Sequence, residues 1–111
     1  MHVVNQSELP FSRIAHELQG EEYGGVGASL IFVDAPPGRG PALHQHPYTE
    51  IFVMQEGEAT VTAGDETRQV GPGDIVIVPP NTPHGFVNSG DGNLRQLDIH
   101  LSPRFITEWL V

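Results

Sequence analysis

Three histidines and one glutamate in this chain have types and spacings that could bind a metal ion. His44 and His46 are separated by one residue, Glu50 follows shortly after, and His84 comes after a proline-rich segment. Neutral imidazole nitrogens and a carboxylate oxygen form a ligand set that suits a borderline divalent transition metal. Together they could hold one such ion and leave coordination positions for water or a substrate.

Short β-strands would bring these four side chains together. Alternate residues of a strand share a face, so His44 and His46 can direct both imidazoles to one point. A bend at Pro47 would let Glu50, at the start of the next apolar run, turn toward them. The rigid corner formed by residues 79–83 would direct His84 inward as another strand begins.

The pattern of the whole chain favours an all-β fold. Thirteen glycines and ten prolines recur between short β-rich runs, which is typical of a sandwich or barrel. Residues 103–110 fit a short helical segment packed on the barrel, and residues 1–12 an extended arm. One domain is expected over residues 1–111. The predicted strands are 27–33, 42–46, 50–55, 58–63, 66–70, 75–78, 84–87 and 95–101.

Composition excludes several classes of function. The net charge is −9 and the pI is about 4.8, so we expect neither nucleic acid nor an anionic membrane as a partner. Without cysteine or lysine, thiolate metal sites, cysteine nucleophiles and Schiff-base chemistry are ruled out. The first fifteen residues lack a secretion signal and no apolar run reaches the ~20 residues of a membrane span, so a cytoplasmic location is expected.

Two segments resemble the conserved motifs of the cupin superfamily. The resemblance is to a small single-domain cupin. The first, Gly38-x₅-His44-x-His46-x₃-Glu50-x₆-Gly57, matches at every defined position of residues 38–57. The second, Gly73-x₅-Pro79-x-Asn81-x₂-His84-x₃-Asn88, differs once in residues 73–88, because Asn81 stands where the family usually has glycine. Asparagine is the non-glycine residue that best tolerates a left-handed turn.

The resemblance implies a double-stranded β-helix, a jelly-roll-like cupin barrel, with a metal inside. The ligands implied are His44, His46, Glu50 and His84, and the ion would be Fe, Mn, Ni, Cu or Zn. Gly57 and Gly73 would form turns and Pro79 a corner. Apolar residues on both faces of several strands indicate that one sheet is covered by a second subunit, and the resemblance to dimeric cupins implies a homodimer as well.

Three classes of function remain open for such a site. The first is a dioxygenase acting on an enol or keto substrate that chelates the metal beside Glu50. The second is a non-oxidative isomerase, lyase or decarboxylase in which the metal is a Lewis acid and Glu50 or a pocket base moves a proton. The third is a module that binds or senses a small ligand without turnover. We place the dioxygenase first, with Glu50 as the candidate catalytic residue.

Other residues are weaker candidates. His100 shares a strand face with Gln96 and Asp98, and we expect that face outside the barrel because the apolar residues between them would normally form the core. The alternative is a pocket in which His100 is an acid or base. Tyr48 is expected at the surface, with the pocket mouth as the alternative, and His2 and His16 have no paired ligand. An apolar pocket wall or ordinary core is expected of Phe52, Met54 and Phe86.

Overall fold

The computed structural model describes all residues, 1–111, as an all-β protein with two 3-10 turns at Gln6–Glu8 and Gly20–Glu22. No helix is long and apolar enough to cross a membrane. The strands are β1 (Phe11–Ser12), β2 (Ala15–Leu18), β3 (Ser29–Ala35), β4 (His44–Gln45), β5 (Glu50–Glu56), β6 (Ala59–Ala63), β7 (Glu66–Val70), β8 (Ile75–Val78), β9 (His84–Asn88), β10 (Leu94–His100) and β11 (Glu108–Trp109).

The strands form two antiparallel sheets packed face to face. The order is β1-β2-β3-β10-β5-β8 in the six-stranded sheet and β11-β4-β9-β6-β7 in the five-stranded sheet. From β3 onward, successive strands alternate between the sheets except at the β6–β7 hairpin, which is the double-stranded β-helix that the resemblance implied. The eight predicted strands are confirmed, with ends displaced by at most two residues.

Apolar side chains between the sheets form the core. On β5, Phe52 and Met54 point inward and are 1% and 2% exposed, and Phe86 on β9 meets Phe52 edge-on with ring centroids 5.6 Å apart. These three residues were predicted to point inward. The buried cluster comprises Val33, Ala35, Phe52, Met54, Ala59, Val61, Val78, Phe86 and Leu94.

The predicted orientation of β10 is wrong. Gln96, Asp98 and His100 point to the interior and are 1–3% exposed, whereas Leu97 and Ile99 lie on the outer face of the sheet. Strand alternation separates a polar from an apolar face, but it does not say which one turns inward. Here the polar face lines the end of the barrel that contains the histidines.

The predicted C-terminal helix is also wrong. Residues 103–107 are irregular, and β11 pairs antiparallel with β4, with Trp109 opposite His44. Eight residues form a stable helix only with support from packing, and here the free edge of β4 offers backbone partners instead. At the other end, the predicted arm ends in β1, which forms a hairpin with β2.

Turn residues of the two motifs adopt the expected backbone. Gly57 and Gly73 have φ of +82° and +92°, and Asn81 has φ of +57°. The left-handed turn is therefore kept at Asn81. The backbone N–H of Asn81 donates to the carbonyl of His46 at 2.7 Å, which ties the corner before His84 to the end of β4.

Candidate metal centre

The four predicted ligands meet at one end of the barrel. His44 on β4 pairs in register with His84 at the start of β9, and Glu50 begins β5 on the facing sheet. All four residues, including His46, are 1–7% exposed. One donor atom from each lies within 4.8 Å of the others, so these four side chains could together hold a single ion.

Backbone carbonyls determine the tautomers of the three imidazoles. The Nδ1 atoms lie 2.7 Å from the carbonyl of Ala42 for His44 and 2.8 Å from that of Thr82 for His84. For His46 the partner is the carbonyl of Ile106, at 2.9 Å. A carbonyl only accepts, so each Nδ1 carries the proton. Each Nε2 then has a free lone pair, as in metal-bound histidines oriented by a second partner.

These lone pairs face a carboxylate, which is unfavourable without a cation. Nε2 of His46 and of His84 each lie 3.0 Å from Oε1 of Glu50, and Nε2 of His46 is buried without a hydrogen bond. In the metal-free chain a second proton on an imidazole would be needed to relieve the contact. A divalent cation between the nitrogens and the oxygen would satisfy every atom at once, so the residues fit a transition metal.

Burial and mutual contacts prepare the ionisation states that metal binding requires. Burial lowers the pKa of His44 to about 4, with His84 and His46 acting the same way. For Glu50, burial alone would raise the pKa, but the close contacts with the imidazoles of His100, His46 and His84 outweigh it and hold the pKa well below its usual range. A neutral imidazole and an ionised carboxylate are the forms that bind a metal.

His84 is the exception in the metal-free chain. Burial opposes the imidazolium, but the contact with Glu50 and the Thr82 carbonyl together raise the pKa of His84. A metal ion must displace that proton, so metal binding should release protons near neutral pH.

A second row of side chains stands behind the cluster. Nε2 of His100 lies 3.1 Å from Oε2 of Glu50, and its Nδ1 lies 2.7 Å from the hydroxyl of Tyr48. The backbone N–H of Ile106 donates to that hydroxyl at 3.2 Å. Burial raises the pKa of Tyr48 to about 12, so the phenol keeps its proton and can donate it to Nδ1 of His100. The Nε2–H of His100 then points toward Glu50.

Tyr48 is therefore not the surface residue that we expected. It is half-buried and stacks on His46, with ring centroids 5.0 Å apart and planes 9° apart. The two remaining histidines lie elsewhere, as predicted. His2 contacts Tyr23, and His16 packs on Phe11.

The C-terminal segment, residues 105–110, closes one side of the site. Phe105 packs edge-on against His100 with ring centroids 4.9 Å apart, and Trp109 lies 5.0 Å from the ring of His44. The carbonyl of Ile106 orients His46, as described above. The sequence gives no signal for these roles, because they depend on the pairing of β11 with β4.

A cavity of about 630 Å³ leads from the cluster toward solvent. Its wall includes Phe52, Phe86 and Trp109, and Asp98 lies within it. Asp98 is hydrogen-bonded to Nε2 of Gln96 at 2.8 Å. Burial, and then the negative charge of Glu50, raise the pKa of Asp98 well above its usual value.

The raised pKa of Asp98 predicts that the metal-free protein becomes less stable as the pH rises. The unfolded chain loses this proton near pH 3.9 while the metal-free folded chain keeps it, so stability falls by up to about 1.4 kcal/mol per pH unit between the unfolded and folded pKa. Asp98→Asn keeps the acceptor for Gln96 and removes the dependence. We expect the melting temperature of the metal-free variant to exceed that of the wild type by more at pH 7 than at pH 4. Exposed Asp65→Asn is the control, and an equal difference at both pH values would show that Asp98 is ionised.

A buried three-histidine, one-glutamate cluster inside a double-stranded β-helix defines a metal-binding barrel protein. The sequence profile of the Cupin domain matches residues 31–100. The chain belongs to the cupin family.

Two curated relatives illustrate the range of the family. The chain is 39% identical over 77 residues to the uncharacterised protein MJ1618 of Methanocaldococcus jannaschii, covering 68% of this chain and 61% of that protein. It is 37% identical over 65 residues to H2HPP isomerase of Bacillus subtilis, covering 58% of this chain and 28% of the isomerase. The chain thus matches less than two thirds of the length of each.

Solved structures share the fold over most of the chain. An uncharacterised protein with a double-stranded β-helix domain from Klebsiella pneumoniae has a TM-score of 0.77 at 22% identity, covering 97% of this chain and 96% of that one. Oxalate oxidase in complex with the substrate analogue glycolate also has a TM-score of 0.77, at 25% identity, covering 86% of this chain and 54% of the oxidase.

Proposed function

We propose that His44, His46, Glu50 and His84 bind one divalent transition metal ion and that the protein is a metal-dependent enzyme. Its substrate would be a small molecule that chelates the ion through enol or keto oxygens. The observation that supports this most is the convergence of three buried imidazoles on the buried Glu50, with Nε2 of His46 left without a hydrogen bond.

The protein's own residues have separable roles in this proposal. The bound ion would supply a Lewis acid for substrate oxygens and, if redox-active, a site for oxygen chemistry. Oε1 of Glu50 faces the imidazoles, whereas Oε2 faces His100 and is the atom that could take a substrate proton. Phe52, Phe86 and Trp109 give the cavity an apolar wall against which a substrate could pack.

The first reaction class that we propose is a dioxygenase. Three imidazoles and one carboxylate leave a higher-coordinate ion with open positions for a chelating substrate. The likeness to oxalate oxidase, over 86% of this chain, supports chemistry with oxygen in a barrel of this form.

A non-oxidative reaction is the second candidate, and a specific observation favours it. The Tyr48 hydroxyl donates to Nδ1 of His100, whose Nε2–H lies 3.1 Å from Oε2 of Glu50, so these groups could deliver a proton inward to that carboxylate for return to a substrate. One of the relatives is an isomerase, which agrees with proton transfer at a polarised carbonyl. A ligand-binding or sensing module without turnover is the third.

One series of measurements separates these classes. Elemental analysis of protein purified without an affinity tag should find close to one equivalent of a transition metal; less than about a tenth, with none taken up on addition, would refute the site. With enol, keto-acid and sugar substrates, oxygen consumption abolished by chelation would support the dioxygenase. Turnover under strict anaerobiosis would contradict the dioxygenase and support the non-oxidative enzyme. Tight ligand binding without turnover would support the binding or sensing module.

We also propose that the protein is a cytoplasmic homodimer formed through the outer apolar face, which we define as the solvent side of strands β3, β10, β5 and β8. Ile75 and Ile77 on the edge strand β8 are 63% and 65% exposed. Ile51 and Val53 on β5 lie opposite them in register. Extended exposed apolar surfaces of this kind mark interaction sites. The face consists of Leu30, Phe32, Ile51, Val53, Ile75, Ile77, Leu97 and Ile99.

Ile77→Glu is expected to convert the dimer to a monomer, because it places a charge within an apolar contact. Size-exclusion chromatography with light scattering should show the mass falling from about two chains to one. Val87→Glu, at an exposed position on the other sheet, is the matched control and should stay dimeric. A monomeric wild type at micromolar concentration would contradict the proposal.

A further inference from the structure

Two arginines stand at the outer end of the cavity whose inner end holds the histidine cluster. Arg13 and Arg39 both line the cavity and both are exposed, whereas the four cluster residues are buried. The chain has only five basic residues and a net charge of −9. Two of these few cations therefore share one rim.

Neither arginine has a partner within the protein. All the ion pairs of the structure join histidines to Glu50, and no arginine side chain is hydrogen-bonded to another residue. A guanidinium carries five donors in a planar fork that matches oxyanions. At the rim of this cavity those donors are free for a ligand.

Backbone strain at Arg13 supports a role for its side chain. Arg13 lies in the two-residue turn between β1 and β2 and has φ of +58°. Glycine adopts this conformation without cost, whereas a long side chain rarely does, and such outliers concentrate at binding sites. The strained turn places a guanidinium group at the cavity, whereas a glycine at this position would supply no side chain.

Arg39 is held in place by its backbone. Its N–H donates to the carbonyl of Pro36 at 3.2 Å, and its carbonyl accepts from the N–H of Asn88 at 2.9 Å. The next residue, Gly40, approaches β9 so closely that a Cβ would lie 1.9 Å from the carbonyl oxygen of Phe86. The loop is thus anchored to the cavity wall on both sides of Arg39.

The charge balance along the cavity favours an anion at the rim. Of the three carboxyl groups in the lining, Glu50 and Asp98 are each 3% exposed and lie at the buried end, away from the exposed arginines. Glu17 alone remains to offset the two guanidinium groups. The outer part of the cavity is therefore cationic within an acidic protein.

We propose that the substrate carries an oxyanion group, a carboxylate or a phosphate, at the end remote from the metal, and that Arg13 and Arg39 bind it. This inference rests on the proposed metal-dependent function, in which the other end of the substrate chelates the ion. A cavity of about 630 Å³ is large enough for a ligand that spans both ends.

Three 2-oxo acids with the same chelating head test the proposal on manganese-loaded protein. 2-Oxoglutarate has a distal carboxylate, 2-oxo-4-phosphonobutanoate a distal phosphonate, and 2-oxopentanoate a distal methyl group. Binding is measured by calorimetry and by the fluorescence of Trp109, the single tryptophan, which lines the cavity. We expect at least one anionic ligand to bind about tenfold tighter than 2-oxopentanoate, since charge-assisted contacts are strong even when partly exposed. The preferred anion identifies the distal group, and added salt should reduce the preference.

Arg13→Ala and Arg39→Ala should each reduce this preference several-fold and leave the affinity for 2-oxopentanoate unchanged. Arg13→Gly relieves the strained turn, so it should fold even if the alanine variant does not, and it should lose the preference equally. Arg68→Ala, which removes the same charge away from this cavity, is the control.

The outcomes separate this inference from the proposed function. A metal-loaded wild type that binds no anionic 2-oxo acid more tightly than 2-oxopentanoate, or variants that keep the preference, would overturn the anion site and leave the metal centre intact. A protein that takes up no metal would overturn the proposed function and this inference with it.

Discussion

Replacing His84 by alanine should abolish metal binding. His84 lies opposite His44 on the neighbouring strand of the five-stranded sheet and supplies one of three nitrogen donors, which the alanine variant lacks. Metal content should fall from close to one equivalent to below about a tenth. His44→Ala should behave in the same way.

The loss of the ion should appear in stability as well. A metal present at about a thousand times its Kd stabilises the folded state by about 4 kcal/mol, and 1 kcal/mol corresponds to roughly 4–8 °C in melting temperature for a domain of this size. Adding metal should therefore raise the melting temperature of the stripped wild type by more than about 10 °C. It should leave the His84→Ala variant unchanged. Comparing each protein with and without metal separates ion binding from the packing cost of the substitution.

His100→Ala is the matched control, because His100 is equally buried and also contacts Glu50, but its Nδ1 is bonded to the Tyr48 hydroxyl rather than to a carbonyl. We expect the variant to keep its metal. A variant that loses the ion would show that His100 is a ligand and that the assignment of the four donors is wrong.

The spacing of the site residues predicts which side chains meet once the geometry of a β-strand is taken into account. His44 and His46 share a face because of the two-residue repeat of a strand, and the corner before His84 is marked by its prolines. Asn81 keeps the left-handed turn, so the one departure from the cupin-like motifs does not disturb the corner. This is why the strands and the four-residue cluster could be predicted from the sequence alone.

What could not be predicted depends on contacts between distant segments. The polar face of β10 turns inward because it lines a polar cavity, and hydrophobic patterning alone favours the opposite orientation. The roles of Ile106 and Trp109 arise only when β11 pairs with β4. Arg13 lies in a hairpin turn whose direction relative to the cavity becomes visible only when β2 joins the sheet. Each error concerns a residue near the site, where function competes with the ordinary rule that apolar faces are buried.

Deleting the C-terminal segment, residues 105–111, should weaken metal binding by roughly 10–100-fold, the cost typical of losing a partner that orients a metal ligand. The carbonyl of Ile106 is the acceptor for Nδ1 of His46, at 2.9 Å. Without it the ring of His46 is free to rotate and its tautomer is no longer determined. The Tyr48 hydroxyl also loses the hydrogen bond from the N–H of Ile106. Tyr48 then constrains His100 less, and His100 in turn constrains Glu50 less.

The size of this effect depends on geometry rather than on the number of ligands, since all four donors remain in the shortened chain. Metal affinity measured by competition with a chelator should therefore fall without vanishing, in contrast to His84→Ala. Trp109→Ala provides a milder variant that keeps the backbone of β11 and removes only the ring against His44, and its metal affinity should change less than that of the deletion. Circular dichroism should show the same β-sheet signal in both, because the segment adds a single two-residue strand to the edge of one sheet. A deletion variant with unchanged metal affinity would mean that His46 is oriented by the barrel alone.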